Sequence, residues 1–95
     1  MDQIQRYTVY QQNPIQEDGS FIEGEMLTEI SYHHSEDEAK EVAQQYADAA
    51  KRDVLVEEDI VIEWANGFVE NVEDRVNEWF FNPRVTRNPI APFSN

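Results

Sequence analysis

Two adjacent histidines before a run of acids form the cluster whose residue types best suit metal binding. His33 and His34 are followed by Glu36, Asp37 and Glu38. Imidazole and carboxylate groups both bind divalent metals. The spacing matches no metal motif such as HExxH, and adjacent side chains at a strand end point apart. We therefore predict no metal site, and the three acids are better explained as the first turn of a helix.

No other motif in the sequence names a reaction. The chain has no cysteine, which excludes disulfides, thiolate nucleophiles and cysteine-bound zinc. Its three glycines form no GxGxxG or Walker loop, and no serine lies in a GxSxG context. Carboxylates are abundant, but acid–base catalysis needs two of them in contrasting environments, and nothing marks such a pair. We therefore predict a protein that is not an enzyme and that uses no cofactor.

The acidic side chains are the main candidates for binding a partner. Glu23, Glu25 and Glu29 fall on one face of a predicted strand, where neighbours two residues apart are separated by about 6.6–6.8 Å. Anions in such a row resemble a phosphate backbone and suit a groove lined with lysine and arginine. The surface is predicted to extend over Glu57, Glu58, Asp59, Glu63, Glu70, Glu73, Asp74 and Glu78. The alternative is a solvated polar face that only keeps the protein soluble.

Aromatic residues offer a second kind of contact. Most of them are expected in the core, because a chain of 95 residues has few other large side chains to bury. Trp79 and Phe81 are nevertheless candidate anchors for a partner, since aromatic side chains are frequent in interface hot spots. Phe93 is a third candidate, which either holds the C-terminal tail to the domain or inserts into a partner.

The overall charge narrows the class of partner. Twenty acidic residues against seven basic ones give a net charge of −13. Such a charge opposes direct binding to nucleic acid or to an anionic membrane. With 40% hydrophobic residues and two tryptophans, the chain is too apolar to be disordered. It shows neither a signal-peptide pattern nor an apolar run of about 20 residues, so we expect a cytoplasmic protein.

The first half of the chain predicts a hairpin followed by a helix. Residues 4–12 and 21–32 are typical of strands, and the Asp-Gly turn between them reverses the chain. Residues 36–52 repeat apolar side chains at helical spacing. Ser35 and Glu38 form a capping-box pattern at the start of that helix.

The second half of the chain supports two interpretations. Asn66-Gly67 is a strong hairpin signal, which predicts a hairpin over residues 59–70 with Glu63 opposite Glu70. Valines and aromatics at helical spacing then predict a short helix over residues 72–81. The alternative is one strand that runs straight into a longer helix.

These elements together predict an α+β fold. We expect an antiparallel sheet of about four strands, with the first helix packed across it and the short second helix before the tail. Residues 1–81 form a single compact domain in this prediction, and residues 82–95 an extended, proline-rich tail. The charge is concentrated on the predicted strand regions, since residues 54–78 carry eight acids and one base.

In size, charge and lack of catalytic motifs, the chain is similar to the small acidic inhibitors that phages encode against host defence, such as anti-CRISPR and anti-restriction DNA mimics. No sequence motif carries this similarity, so it transfers no residue roles. It implies a non-enzymatic inhibitor that occupies a basic, nucleic-acid-binding surface of another protein in the host cytoplasm.

Two other classes remain open on the sequence alone. One is an adaptor domain that binds through an aromatic patch or through the proline-rich tail. The other is an ordinary domain from a salt-loving organism. The low lysine count of two is consistent with that second class, whereas the count of fourteen amide side chains is less consistent with it.

Overall fold

The computed structural model describes residues 2–84 as an antiparallel sheet with one helix packed across it. The strands lie in the order β2-β1-β3-β4, and the α+β prediction is confirmed. The elements are β1 (Ile4–Gln12), β2 (Leu27–His33), α1 (Glu36–Ala50), β3 (Val54–Glu63) and β4 (Val69–Phe81). Residues 85–95, which include most of the predicted tail, lie outside the described residues. No helix in the described part is long and apolar enough to cross a membrane.

The core lies between α1 and one face of the central strands. Small side chains on the helix let its backbone approach the sheet closely, and β-branched valines fill the facing strand positions. This packing is the reason that the alanine-rich stripe of the sequence faces inward. The buried cluster consists of Tyr7, Val9, Ala39, Ala43, Ala47, Val54 and Val56.

Helix α1 begins at the predicted cap but uses only half of the capping box. The Glu38 backbone N–H donates to Ser35 Oγ at 3.2 Å, which satisfies one of the free donors of the first turn. The Glu38 carboxylate lies instead 2.8 Å from His33 Nδ1. The helix ends at Ala50, two residues earlier than predicted, because Lys51 adopts a left-handed conformation (φ 59°).

The second predicted strand is shorter than the sequence pattern indicates. Residues 21–32 were expected to be extended, but a 3-10 turn occupies Ile22–Gly24 and β2 begins only at Leu27. Glu23 has a left-handed backbone (φ 69°) inside that turn. Asn13 holds the loop in place, since its side-chain amide donates to the Glu25 carbonyl at 2.8 Å.

The predicted helix over residues 72–81 is wrong, and so is the alternative of a longer helix. This segment belongs to β4, which pairs with β3 from Val69 to Phe81. The backbone of Arg75 (φ 52°) interrupts the regular pairing, and its N–H donates to Asp59 Oδ1 at 2.8 Å. Pairing with the free side of β3 therefore overrides the local helical spacing, as tertiary context often does.

The Asn66-Gly67 turn is confirmed, but its register differs from the prediction. The Trp64 N–H donates to the Phe68 carbonyl at 2.8 Å. Glu63 consequently lies opposite Val69, and Glu70 lies opposite Ile62. This register avoids the like-charge pair that the sequence alone suggested.

After β4 the chain turns back to the helix. Arg84 places two guanidinium nitrogens 2.6 and 3.0 Å from Asp48 Oδ2, and its backbone N–H donates to Asp48 Oδ1 at 2.8 Å. These hydrogen bonds lower the pKa of Asp48 to about 2. The last described residues are therefore directed toward α1 and away from the outer edge of β4.

Candidate functional site

The face of the sheet opposite α1 is covered by no other described element, and we call it the open face. Cross-strand partners share a face, and the register therefore identifies its members. Tyr10 lies opposite Glu29, and Glu57 lies opposite Glu78. The open face carries Arg6, Thr8, Tyr10, Glu29, Tyr32, Leu55, Glu57, Asp59, Glu78 and Phe80.

Three carboxylates meet on the part of the open face formed by β3 and β4. Glu57 is paired across the strands with Glu78 and lies two residues from Asp59 on the same strand. Partial burial raises the pKa of Glu57, and the charges of Asp59 and Glu78 raise it further. The ionised cluster is thus repulsive, although the nearby Arg75 opposes part of this effect.

Tyr10 lies on β1, between this cluster and Glu29 of β2. Burial raises the pKa of the Tyr10 hydroxyl, and so do the charges of Glu57, Glu29 and Asp59. Glu29, Glu57 and Asp59 therefore all raise the pKa of one phenol near the centre of the face. A polar depression of about 170 Å³ lies here, lined by Arg6, Thr8, Tyr10, Glu29, Asp59 and Asn71.

Arg6 adds a cation to this acidic face. Its guanidinium carbon lies 3.8 Å from the centre of the Tyr32 ring, a cation–π contact. Arg6 pairs across the strands with Asp59, and its buried Nε has no hydrogen-bond partner. This arginine reduces the local negative charge without removing it, because Glu57 and Glu78 lie beyond it.

Several predicted binding acids lie elsewhere. Glu58 is on the helix side, only 7% exposed, and accepts a hydrogen bond from Asn77 Nδ2 at 3.0 Å. Its neighbours in sequence, Glu57 and Asp59, point to the opposite face because side chains alternate along a strand. Glu58 is therefore a buried structural residue in this fold.

The other predicted acids surround the sheet. Glu23 and Glu25 lie in the loop before β2, so they do not form a strand row with Glu29. Glu70 and Glu73 pair with isoleucines whose side chains point to the helix side. Glu63 lies 2.8 Å from His34 Nε2, and Asp74 is exposed beside the bulge in β4.

The two candidate aromatic anchors on β4 are directed to the core, and the residue between them is exposed. Trp79 and Phe81 pack against the core, and the Trp79 ring centre is 6.1 Å from that of Tyr7. Phe80, which sequence reasoning did not select, is 65% exposed on the open face. The signal that could have found it is the two-residue alternation of a strand, which the helix prediction concealed. Phe93 lies outside the described residues.

The two histidines contact different acids and do not converge. His33 Nδ1 lies 2.8 Å from Glu38, and His34 Nε2 lies 2.8 Å from Glu63. His33 also contacts the Ser31 hydroxyl at 2.9 Å. Within residues 2–84 no group of three histidine or acidic side chains is arranged to hold a metal ion.

Comparison with known proteins finds no matching family model, no similar curated protein and no similar solved structure. The geometry and charge of the open face are therefore the features that bear on function.

Proposed function

We propose that this protein is a non-enzymatic inhibitor of the DNA-mimic type, whose open face occupies a basic, nucleic-acid-binding surface of a partner in the host cytoplasm. The observation that carries this proposal is the group of carboxylates on the uncovered side of the sheet. Within the described residues, Glu29, Glu57 and Glu78 form no ion pair. Their charge is thus free to meet lysine and arginine side chains of another protein.

The electrostatics of the free protein support this assignment. Like charges directly opposite each other on a sheet reduce stability, and Glu57 faces Glu78 in this way. A cationic partner would replace this repulsion with attraction. Carboxylates on one face also accelerate association with a basic surface, and the rate falls as salt increases.

Aromatic side chains on the same face supply contacts that salt does not screen. Phe80 is 65% exposed and Tyr32 is 49% exposed. Aromatic rings bury large areas and interact favourably with guanidinium and ammonium groups. The combination of acid and ring suits arginine and lysine better than it suits a neutral surface.

A second candidate function is an adaptor domain that binds through apolar contacts. A depression of about 180 Å³ near the β3–β4 turn favours it, and Trp64 and Phe68 on its wall are 41% and 59% exposed. Partner binding that is insensitive to salt and is lost in a Trp64→Ala, Phe68→Ala variant would favour this candidate.

The proposal is tested by capture of proteins from bacterial extracts with variants of equal charge. Glu29→Gln, Glu57→Gln and Glu78→Gln together remove three charges from the open face. Capture should fall by at least about tenfold, the equivalent of 1.4 kcal/mol of binding energy. Competing duplex DNA should also release the captured proteins.

The matched control removes three exposed acids outside the open face, by Asp2→Asn, Glu17→Gln and Glu41→Gln. It should capture the same proteins as the unchanged chain. Equal loss of capture in both triple variants would show that net charge, and not the open face, is responsible. Capture that duplex DNA does not affect would contradict the proposed occupation of a nucleic-acid-binding site.

A further inference from the structure

Within residues 2–84, the outer edge of β4 is an unpaired strand edge. Strand β4 is last in the sheet order, and no described strand pairs with its outer side. From Asn77 to Phe81 its register against β3 is regular, and the bulge lies before Asn77. Residues 82–84, the described residues that follow β4, are held toward α1 by the ion pair of Arg84 and Asp48 and do not pair with this edge. Unpaired edges of this kind can accept a strand from another chain.

The ladder identifies which backbone groups point outward. The Gln12 N–H donates to the Asp53 carbonyl, and hydrogen-bonded pairs alternate along an antiparallel ladder. Odd-numbered residues of β3 therefore bond to β1, and even-numbered residues bond to β4. Even-numbered residues of β3 pair with Asn77, Trp79 and Phe81. The backbone groups of Glu78 and Phe80 consequently point away from the sheet.

The outward residues of the edge also belong to the open face. Glu78 and Phe80 share that face with Glu57 and Leu55, their partners on β3. A strand added at this edge would continue the open face by one strand, with its side chains about 4.5–5.5 Å from those of β4. Basic side chains at every second position would then lie beside Glu78 and within reach of Glu57.

Charge selects the kind of strand that fits. Strand β4 carries four acids and only one base, Arg75. A second copy of the same strand would bring like charges together, which disfavours pairing between copies. A segment rich in lysine or arginine has the complementary charge.

We propose that the β4 edge accepts an extended basic segment of the partner as a fifth strand, with basic residues alternating with apolar ones. This inference rests on the proposed function, because it specifies how part of the basic partner is bound. Backbone hydrogen bonds to Glu78 and Phe80 supply one part of the interaction. The carboxylates of Glu57 and Glu78 supply the other part.

The test uses two synthetic peptides of equal charge at low salt. One alternates lysine with valine, and the other alternates lysine with proline, which cannot donate the hydrogen bonds of a strand. Amide hydrogen exchange at Glu78 and Phe80 should slow about tenfold or more with the valine peptide and remain unchanged with the proline peptide. Asn77 and Trp79, whose amides point to β3, serve as internal references.

Two variants separate the backbone from the charge. Glu78→Gln and Glu78→Pro both remove the carboxylate, but only proline removes the outward N–H, a substitution that edge strands tolerate. The proline variant should bind the valine peptide at least about fivefold more weakly than the glutamine variant. If the proline variant does not fold, the exchange measurement on the unchanged chain decides.

The possible outcomes distinguish failure of strand addition from failure of the proposed function. Equal binding of both peptides without protection at Glu78 and Phe80 overturns strand addition and leaves the acidic face as the binding site. Protection of these amides in the protein alone, increasing with its concentration, overturns the inference in favour of a second copy. Failure of both peptides to bind overturns strand addition and contradicts the charge-based function as well.

Discussion

Two carboxyl groups in this fold have pKa values shifted in opposite directions. Hydrogen bonds from Arg84 lower the pKa of Asp48 from 3.8 to about 2. The pair therefore stabilises the fold fully at a pH above the ordinary pKa of 3.8, and this stabilisation is lost as the pH falls toward 2. Burial and like charges raise the pKa of Glu57 above 4.5. Its ionised form therefore destabilises the fold at neutral pH, and protonation relieves this as the pH falls through the raised value.

Removing the cross-strand neighbour of Glu57 is expected to lower its pKa. Glu78→Gln deletes one of the negative charges that oppose ionisation of Glu57, so its pKa should move down toward 4.5. The free energy of unfolding at neutral pH should rise by about 0.2–1 kcal/mol, since a repulsive pair is lost. Carboxyl carbon NMR measures the titration, and Asp48 serves as a control that should not change. An unchanged Glu57 titration would contradict the proposed repulsion.

The residue types of the site were predictable, but their faces were not. The carboxylates of Glu57, Asp59 and Glu78 were selected from the sequence as partner-binding residues, and the fold brings them together. Glu58 and Trp79 were selected as well, although both point to the helix side. A strand places neighbours on opposite faces, and a charge count carries no information about that alternation.

At the scale of elements, helix α1, the β1–β2 hairpin and the turn between β3 and β4 were predictable because their signals are local. The Ser35 cap and the Asn66-Gly67 turn act over three or four residues. Strand β4 was not predictable in this way. It has apolar residues at helical spacing, and only its pairing with the free side of β3, which a local pattern does not reveal, makes the extended form favourable.

The close approach of α1 to the sheet predicts a strong penalty for a larger side chain. Ala43 is fully buried against the strands, so Ala43→Leu should lower the free energy of unfolding by about 1–3 kcal/mol. Ala49→Leu is the matched control, because Ala49 lies on the exposed side of the same helix and leucine has nearly the same helix propensity. Chemical denaturation compares the two. Equal stability of both variants would show that the helix does not pack closely.

At the scale of the whole molecule, the fold separates core from charge. The helix and the valines of the central strands bury one face of the sheet, while the opposite face carries carboxylates and exposed rings. A sheet with both faces covered would have no room for such a surface. Within residues 2–84, one helix on four strands therefore leaves the opposite face of the sheet without a covering element.

This arrangement predicts a moderate response of stability to salt. A net charge of −13 destabilises the folded state by self-repulsion, which salt screens within a Debye length of about 10 Å at 0.1 M and about 3 Å at 1 M. The melting temperature should therefore rise with KCl and level off below about 1 M. The protein should already be folded in dilute buffer, because the core cluster of the described residues is apolar.

The variant with Glu29→Gln, Glu57→Gln and Glu78→Gln tests whether the open face is the source of this response. It should melt at a higher temperature than the unchanged chain in dilute buffer and gain less from KCl, because the repulsive pair is absent. Thermal melts followed by circular dichroism measure both effects. A chain that is unfolded in dilute buffer and gains stability steeply into molar KCl would instead support adaptation to brine, since surface acidity would then be required for folding itself.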